Sequence, residues 1–248
     1  MEPQREHETS YAQIYLDPEL NHSSGYFLDG ETSLAAAQQA KVDAILSGSR
    51  LSPGMRVLDA GCGWGATARA AARQYGVHVT GITLSGEQYD YACAREKDDP
   101  SEPGIEYRIQ SWETFTEPVD RIICVNAFEN FDDKEGFLHR SRELLPPGGV
   151  TKILTVTADR PMFRVMSKGE IERIGRSAGY TVQTSDSLTV HYARTLDHFA
   201  ANLIQRREAA EAVVGADRLT GTIAYYRRCA QFLRSGLNNM YEFTLVAC

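Results

Sequence analysis

Met55-Arg56-Val57-Leu58-Asp59-Ala60-Gly61-Cys62-Gly63-Trp64-Gly65-Ala66 is the stretch whose reading decides the fold. A short apolar run ends on an aspartate, glycines follow at alternate positions, and Thr67-Ala68-Arg69-Ala70-Ala71-Ala72-Arg73 continues as a helix. Alternate glycines let a backbone turn tightly and approach a ligand that a Cβ would strike. The helix start behind them presents unpaired N–H groups. In a doubly wound sheet ligands bind outside the carboxyl ends of the strands, so this loop marks the floor of a cofactor pocket.

Working outward, the strand is prepared by the turn Ser52-Pro53-Gly54 and by a helix over Leu34–Leu46, whose stripe is Leu34, Val42, Ile45 and Leu46. Residues 1–33 are polar with scattered aromatics and read as an irregular arm. Downstream, a second strand runs over Gly76–Ile82, and Leu84-Ser85-Gly86-Glu87-Gln88 opens a helix with Ser85 as N-cap. Asp98–Gly104 is a charged loop, Ile105–Ile109 a third strand and Val119–Val125 a fourth. A helix over Phe137–Leu145 and the turn Pro146-Pro147-Gly148-Gly149 lead to a fifth strand at Val150–Val156.

Strands alternating with helices at this spacing imply a parallel sheet with helices on both faces, a Rossmann-like α/β fold. Beyond residue 157 the pattern changes to a helix over Lys168–Ala178, a strand at Tyr180–Thr184, helices over Thr195–Val214 and Leu219–Leu233, and a strand at Tyr241–Ala247. The last strand is expected to enter the seven-stranded, mostly parallel sheet in the antiparallel sense. The expectation is one domain over 1–248: an arm and helix covering the site (1–50), a cofactor-binding core (51–157), and substrate-side helices with the last strands (158–248).

The 248 residues are 42% hydrophobic and 24% charged, ordinary for a globular protein with one large core. A net charge of −7 argues against nucleic acid and against a stable hold on an anionic membrane. Five irregularly spaced cysteines do not form a disulfide framework, and a reducing cytoplasm is the expected setting. The N-terminus lacks the apolar segment of an export signal, and no apolar run is long enough to span a bilayer. No His/Cys/Asp cluster has metal-ligand spacing, so no metal is expected.

Two cofactors compete for the glycine loop. Gly61-Cys62-Gly63-Trp64-Gly65-Ala66 satisfies the dinucleotide pattern G-x-G-x-x-A, but a nicotinamide enzyme needs an acid at the end of the second strand. That strand ends Gly81-Ile82-Thr83-Leu84-Ser85, without one. An aspartate two residues ahead of the first glycine is typical instead of S-adenosylmethionine (SAM) enzymes. A nicotinamide oxidoreductase and a catalytically silent ligand-binding protein are the alternatives.

From about residue 7 to its end the chain resembles the cyclopropane fatty acid synthases and mycolic acid methyltransferases. The stretches that carry this are Tyr15-Leu16-Asp17-Pro18, Ser23-Ser24-Gly25-Tyr26-Phe27, Val57–Ala66, Gly81–Ser85, Trp112-Glu113, Glu117–Ile122, Ala127-Phe128-Glu129, Leu144-Leu145-Pro146 and His191–Leu196. The resemblance implies a class I SAM-dependent methyltransferase that releases S-adenosylhomocysteine. It implies that His22 and Ser23 touch the cofactor from the arm, that Asp59, Gly61 and Gly63 hold its methionine end, and that Thr83, Leu84, Ser85 and Gln88 hold the ribose. By the same resemblance Ser111 and Trp112 border the adenine, while Val125 and Glu129 lie near the sulfonium methyl and Tyr192 approaches from the C-terminal part. In the family a bicarbonate ion serves as base, held in part by the matches to Glu129 and Tyr192.

The chain departs from that family in ways that bear on substrate. A histidine of the fifth strand that binds bicarbonate is here Leu154, the arm cysteine is Ser24, and the histidine after the glutamate is Asn130. The long insertion after the fifth strand, which helps enclose a lipid chain, is missing: only Ala158–Ser167 intervenes. Bicarbonate and the acyl tunnel therefore lose part of their support, and the expected acceptor is a smaller molecule, such as an intermediate of specialised metabolism. Cyclopropane formation is the alternative within the same branch.

Each candidate has a plainer alternative. Glu129, between Phe128 and Phe131, suits a general base or a partner for a substrate cation; otherwise it is a carboxylate favoured by a helix start. Tyr192 is a hydrogen-bond donor near the methyl or a core tyrosine. His191 is expected on the opposite face of an extended segment, hence structural. Trp64 and Trp112 sit in loops, which favours ligand contact over core. Arg206-Arg207 and Arg227-Arg228 read as solvated helix faces, with a homodimer or carrier-protein contact as the other reading.

Overall fold

The computed structural model describes residues 8–28, 30, 33–98, 104–159 and 165–248. Most of the loop expected over 98–104, the first seven residues of the arm and half of the 158–167 connection lie outside them. Seven strands form one sheet: β1 (Arg56–Ala60), β2 (His78–Thr83), β3 (Ile105–Ile109), β4 (Arg121–Val125), β5 (Val150–Thr157), β6 (Tyr180–Ser187) and β7 (Asn239–Ala247). Their order is β3-β2-β1-β4-β5-β7-β6. β1 through β5 pair in parallel, and β7 runs antiparallel to both neighbours. The expected topology, including the reversed last strand, is the one found.

The core follows from the two-residue period of a strand, which sends successive side chains to opposite faces. Leu58, Ile122 and Ile153 enter one cluster with Phe137 and Leu138 of α5 (Lys134–Leu144) and Ile171 and Ile174 of α6 (Lys168–Ser177). Their neighbours Val57, Ile123 and Leu154 enter the other, against Val42, Ile45 and Leu46 of α2 (Leu34–Gly48) and Ala68, Ala71 and Ala72 of α3 (Ala66–Tyr75). Each Val, Leu, Ile or Phe side chain among these contributes about 1.5–3 kcal/mol on burial.

A third apolar cluster covers the carboxyl ends of the strands. It is built from α1 (Glu8–Tyr15), α7 (Thr189–Gln205), α8 (Arg207–Val214) and α9 (Ala216–Arg234), through Tyr15, Phe199, Leu203, Ala210, Ile223 and Tyr226. Here two expectations fail. The arm is not irregular throughout, because Tyr11, Ala12 and Tyr15 bury one face of α1 against this cluster. A segment of eight residues is too short to be a helix by propensity alone and takes its stability from packing.

The segment around His191 and Tyr192 is not extended either. It is the first turn of α7, which starts at Thr189, and the helix is interrupted at Arg206 instead of running unbroken to Val214. β-Branched Thr189 and Val190 suggest a strand, but Ala193, Leu196, Ala200 and Leu203 form a helical stripe buried in the cap. No described helix is long and apolar enough to cross a membrane.

Candidate active site

At the switch between β1 and β4, the chains leaving the two strands part and open a cleft of about 480 Å³. Its floor is the glycine loop, pinned by Gly61 and Cys62 N–H groups that both donate to the Ile82 carbonyl at 3.0 Å. Gly61 and Gly63 both have positive φ, at +83° and +56°, but for different reasons. A Cβ on Gly61 would lie 2.3 Å from the Ala127 Cβ, so that glycine permits the loop to pass the β4 end. A Cβ on Gly63 would meet no protein atom within 4 Å and would project into free space.

Asp59 is the penultimate residue of β1 and is 2% exposed, with Oδ2 lacking any hydrogen-bond partner. Burial pushes its carboxyl up to about 7, opposed by the charge of Lys41. Lys41, from α2, also lines the cleft and donates to Asn21 Oδ1 at 2.8 Å. Burial lowers its ammonium to about 8, countered by Asp17 and Asp59. The sequence reading missed Lys41, although a charge beside Val42 and Ile45 on the apolar side of α2 was a usable signal.

The remaining expected cofactor residues mostly gather here. His22, Ser23, Trp64, Thr83, Leu84, Gln88, Ser111, Trp112 and Val125 line the cleft together with Asp59, Gly61 and Gly63. Ser85 does not line it. Its hydroxyl accepts from the Gln88 N–H at 3.3 Å, capping α4 (Gly86–Asp98), and donates to Glu8 Oε2 at 3.0 Å. Gln88 accepts from the Thr83 hydroxyl at 2.8 Å and donates to Glu8 Oε1 at 3.2 Å, so α1 holds the β2 end from above.

The tryptophans serve both readings at once. Trp64 packs in the helical cap and donates to the Thr9 hydroxyl at 3.0 Å while bordering the cleft. Trp112 stands edge-on to Phe137 at 5.4 Å and also faces the cleft. His22 has its Nε2 3.0 Å from the Tyr226 hydroxyl; the residue is exposed at the cleft, while desolvation on its side toward the cap rings lowers its imidazole to about 4.

Glu129 and Tyr192 are not among the residues lining the cleft; Glu129 is joined to it through Asn126, and Tyr192 packs against the helical cap. Glu129 lies in a single 3₁₀ turn after β4. Its Oε1 accepts from Asn126 Nδ2 and its Oε2 from the Thr155 hydroxyl, each at 2.9 Å. Burial nevertheless raises its carboxyl above the ordinary range. Asn126, a cleft residue at φ +51°, also accepts from the Ser24 N–H at 3.4 Å and so links the arm to the glutamate. Burial raises the Tyr192 phenol well above its usual range, and the nearby Glu129 carboxylate raises it further.

Leu154 is fully buried in the cluster beneath α2, and its neighbour Thr155 is the β5 residue that reaches Glu129. Asn126 and Thr155 were not anticipated from sequence. Of the paired arginines, Arg206 donates to the Ile14 carbonyl at 2.7 Å and holds α1, and Arg207 pairs with Glu211.

Comparison with known proteins identifies the family and the fold. The family model described as mycolic acid cyclopropane synthetase matches residues 7–168 and 160–243. The S-adenosylmethionine-dependent methyltransferase UmaA of Mycobacterium tuberculosis is 33% identical over 264 aligned residues, covering 95% of this chain and 92% of the relative. The structure of cyclopropane synthase MmaA2 from Mycobacterium tuberculosis superposes with a TM-score of 0.91 at 32% identity, covering 96% of this chain and 94% of the other. Mycolic acid cyclopropane synthase CmaA1 complexed with SAH and CTAB gives 0.91 at 31% identity, over 96% and 93%. The fold, the site and the extent of these matches together place the chain in the mycolic acid cyclopropane synthetase family.

Proposed function

We propose that this enzyme, a SAM-dependent methyltransferase of the cyclopropane-synthase branch, transfers the sulfonium methyl or the methylene derived from it to a small-molecule acceptor held on the Glu129 side of the cleft. The observation that carries the reading is the juxtaposition of an open, polar cleft containing Asp59 with a half-buried carboxylate, Glu129, joined to the cleft wall through Asn126. The unpartnered Asp59 oxygen suits an ammonium group, and the free space at Gly63 suits a ligand passing against the backbone. On this reading residues 51–157 form the cofactor-binding core, the arm and helix of 1–50 cover the site and contribute His22 and Ser23 to it, and 158–248 supply the substrate-side helices and last strands.

When bound, SAM supplies an electrophilic methyl on a leaving group that departs as a neutral thioether. The chain's part is then largely positioning, an effect that can reach about 7–11 kcal/mol. Thr83, Leu84 and Gln88 border the ribose, Ser111 and Trp112 the adenine, His22 and Ser23 the arm side, and Val125 the floor. Glu129 takes the proton that the acceptor must lose, its raised pKa matching it to that task. Tyr192 donates a hydrogen bond beside it. Leu154, buried in β5, offers no imidazole to a bicarbonate ion.

The short connection from Thr157 to Lys168 supports an acceptor smaller than a long acyl chain. The curated relatives named cyclopropane mycolic acid synthases favour the second reading, ring formation on an alkene. Incubating the enzyme with methyl-labelled SAM and candidate metabolites, followed by mass spectrometry, separates the two. A gain of one CH₂ with unsaturation retained supports methyl transfer; the same gain with a double bond lost supports the ring. Label passing only to long acyl chains would overturn the small-acceptor reading.

A further inference from the structure

We propose that Lys41 is the anchor for the α-carboxylate of the cofactor's amino-acid end, so that Lys41 and Asp59 together clamp a zwitterion. The inference rests on the SAM reading above. Among the described residues Lys41 is the one cation lining the cleft; the carboxylates beside it there are Asp59 and, nearer the rim, Glu113 and Asp132. A zwitterion brings a carboxylate as well as an ammonium, and leaving either unpaired in a desolvated cleft is costly.

Lys41 is built for this use in three respects. Its side chain is held, since it is 2% exposed and one N–H is committed to Asn21 Oδ1. Asn21 is itself fixed, its Nδ2 and backbone N–H donating to the two Asp17 carboxylate oxygens at 3.0 and 2.7 Å. An ammonium has three donors, and the single hydrogen bond to Asn21 leaves two to offer. Finally, Lys41 and Asp59 each feel the other's charge yet do not close into an ion pair, so Asp59 Oδ2 stays without a partner. A lysine placed only to neutralise Asp59 would close on it. The arm residues Asp17 and Asn21 are thereby tied to cofactor binding through α2, although Asp17 does not touch the cleft.

The test is calorimetric and needs no turnover. S-Adenosylhomocysteine (SAH) is titrated against 5′-methylthioadenosine, which keeps the nucleoside and thioether but lacks the amino-acid end. Lys41→Met is expected to weaken SAH on the order of 10- to 100-fold, the range for a hydrogen bond to a charged group, and to leave methylthioadenosine unchanged. Lys41→Arg should restore part of the loss. Equal weakening of both ligands, or of neither, overturns the proposal. Should Lys41→Met fail to fold, the wild type decides: it must prefer SAH over its decarboxylated analogue by a similar factor, and equal affinity overturns the clamp. Wild type that binds SAH but fails these comparisons loses only the clamp, whereas wild type that binds neither nucleoside loses the cofactor reading with it.

Discussion

The cofactor cleft and the helical cap above it differ in how their central polar groups are partnered, although the buried Tyr11 hydroxyl at the α1 side of the cap also lacks a partner. In the cap, the Tyr226 hydroxyl donates to Tyr15 at 2.9 Å and sits 3.0 Å from His22 Nε2, amid Phe199 and other rings. In the cleft, Asp59 Oδ2 is buried unpaired, Gly63 faces free space, and Lys41 spends one of its hydrogen bonds. Buried polar groups ordinarily find partners, so groups left waiting mark where a ligand completes the structure. Glu129 lies on the seam: satisfied by Asn126 and Thr155 from the sheet side, yet raised in pKa by the apolar cap.

The sharpest way to break this contrast is Gly63→Val. Because no protein atom lies near its Cβ, the variant should fold, at a cost of about 1–2 kcal/mol for its left-handed backbone, and yet show no calorimetric SAH binding. Retained affinity would mean the loop is not the cofactor floor. Next in size, Glu129→Gln should lower turnover ~10²-fold or more while leaving SAH affinity intact; unchanged turnover removes the glutamate from the chemistry.

A third effect is on pH. Asp59, at about 7 in the free protein, holds a proton below that pH which must leave before an ammonium can pair with it. SAH affinity should therefore fall as pH drops below about 7, by up to ~10-fold per unit, and Asp59→Asn should bind weakly with that dependence gone. His22, at about 4, stays neutral through this range and adds nothing. An SAH affinity flat with pH in the wild type would contradict the pairing.

The smallest effect belongs to the cap. Tyr226→Phe removes the donor to Tyr15 and the contact to His22, costing about 1–2 kcal/mol. At ~2–4 °C per kcal/mol for a chain of this size, calorimetry should register a drop of several degrees with SAH affinity unchanged. A loss of SAH affinity instead would show that cap and cleft are one cooperative unit.

Much of the sheet and cofactor side was readable from local pattern. Strand periodicity and the Asp-x-Gly-x-Gly spacing depend on short stretches of chain, and most of the expected lining residues do gather at one cleft. Ser85 stands beside the cleft and not in its lining, its hydroxyl being used to cap α4 and to donate to Glu8. The cap was harder: α1 is too short to declare itself, and the first turn of α7 carries residues that favour strands until Ala193, Leu196 and Phe199 are packed.

What the amino-acid order determined by itself was the α/β alternation and the glycine loop, because period-two burial and positive φ are constraints felt within a few residues. What only the tertiary structure decided was which polar groups are satisfied and which are left open. Asn126 and Thr155 reach Glu129 from two strand ends, and Lys41 comes to Asp59 from a helix outside the glycine motif. Such meetings depend on where elements distant in sequence are packed together, and no local pattern carries that distance.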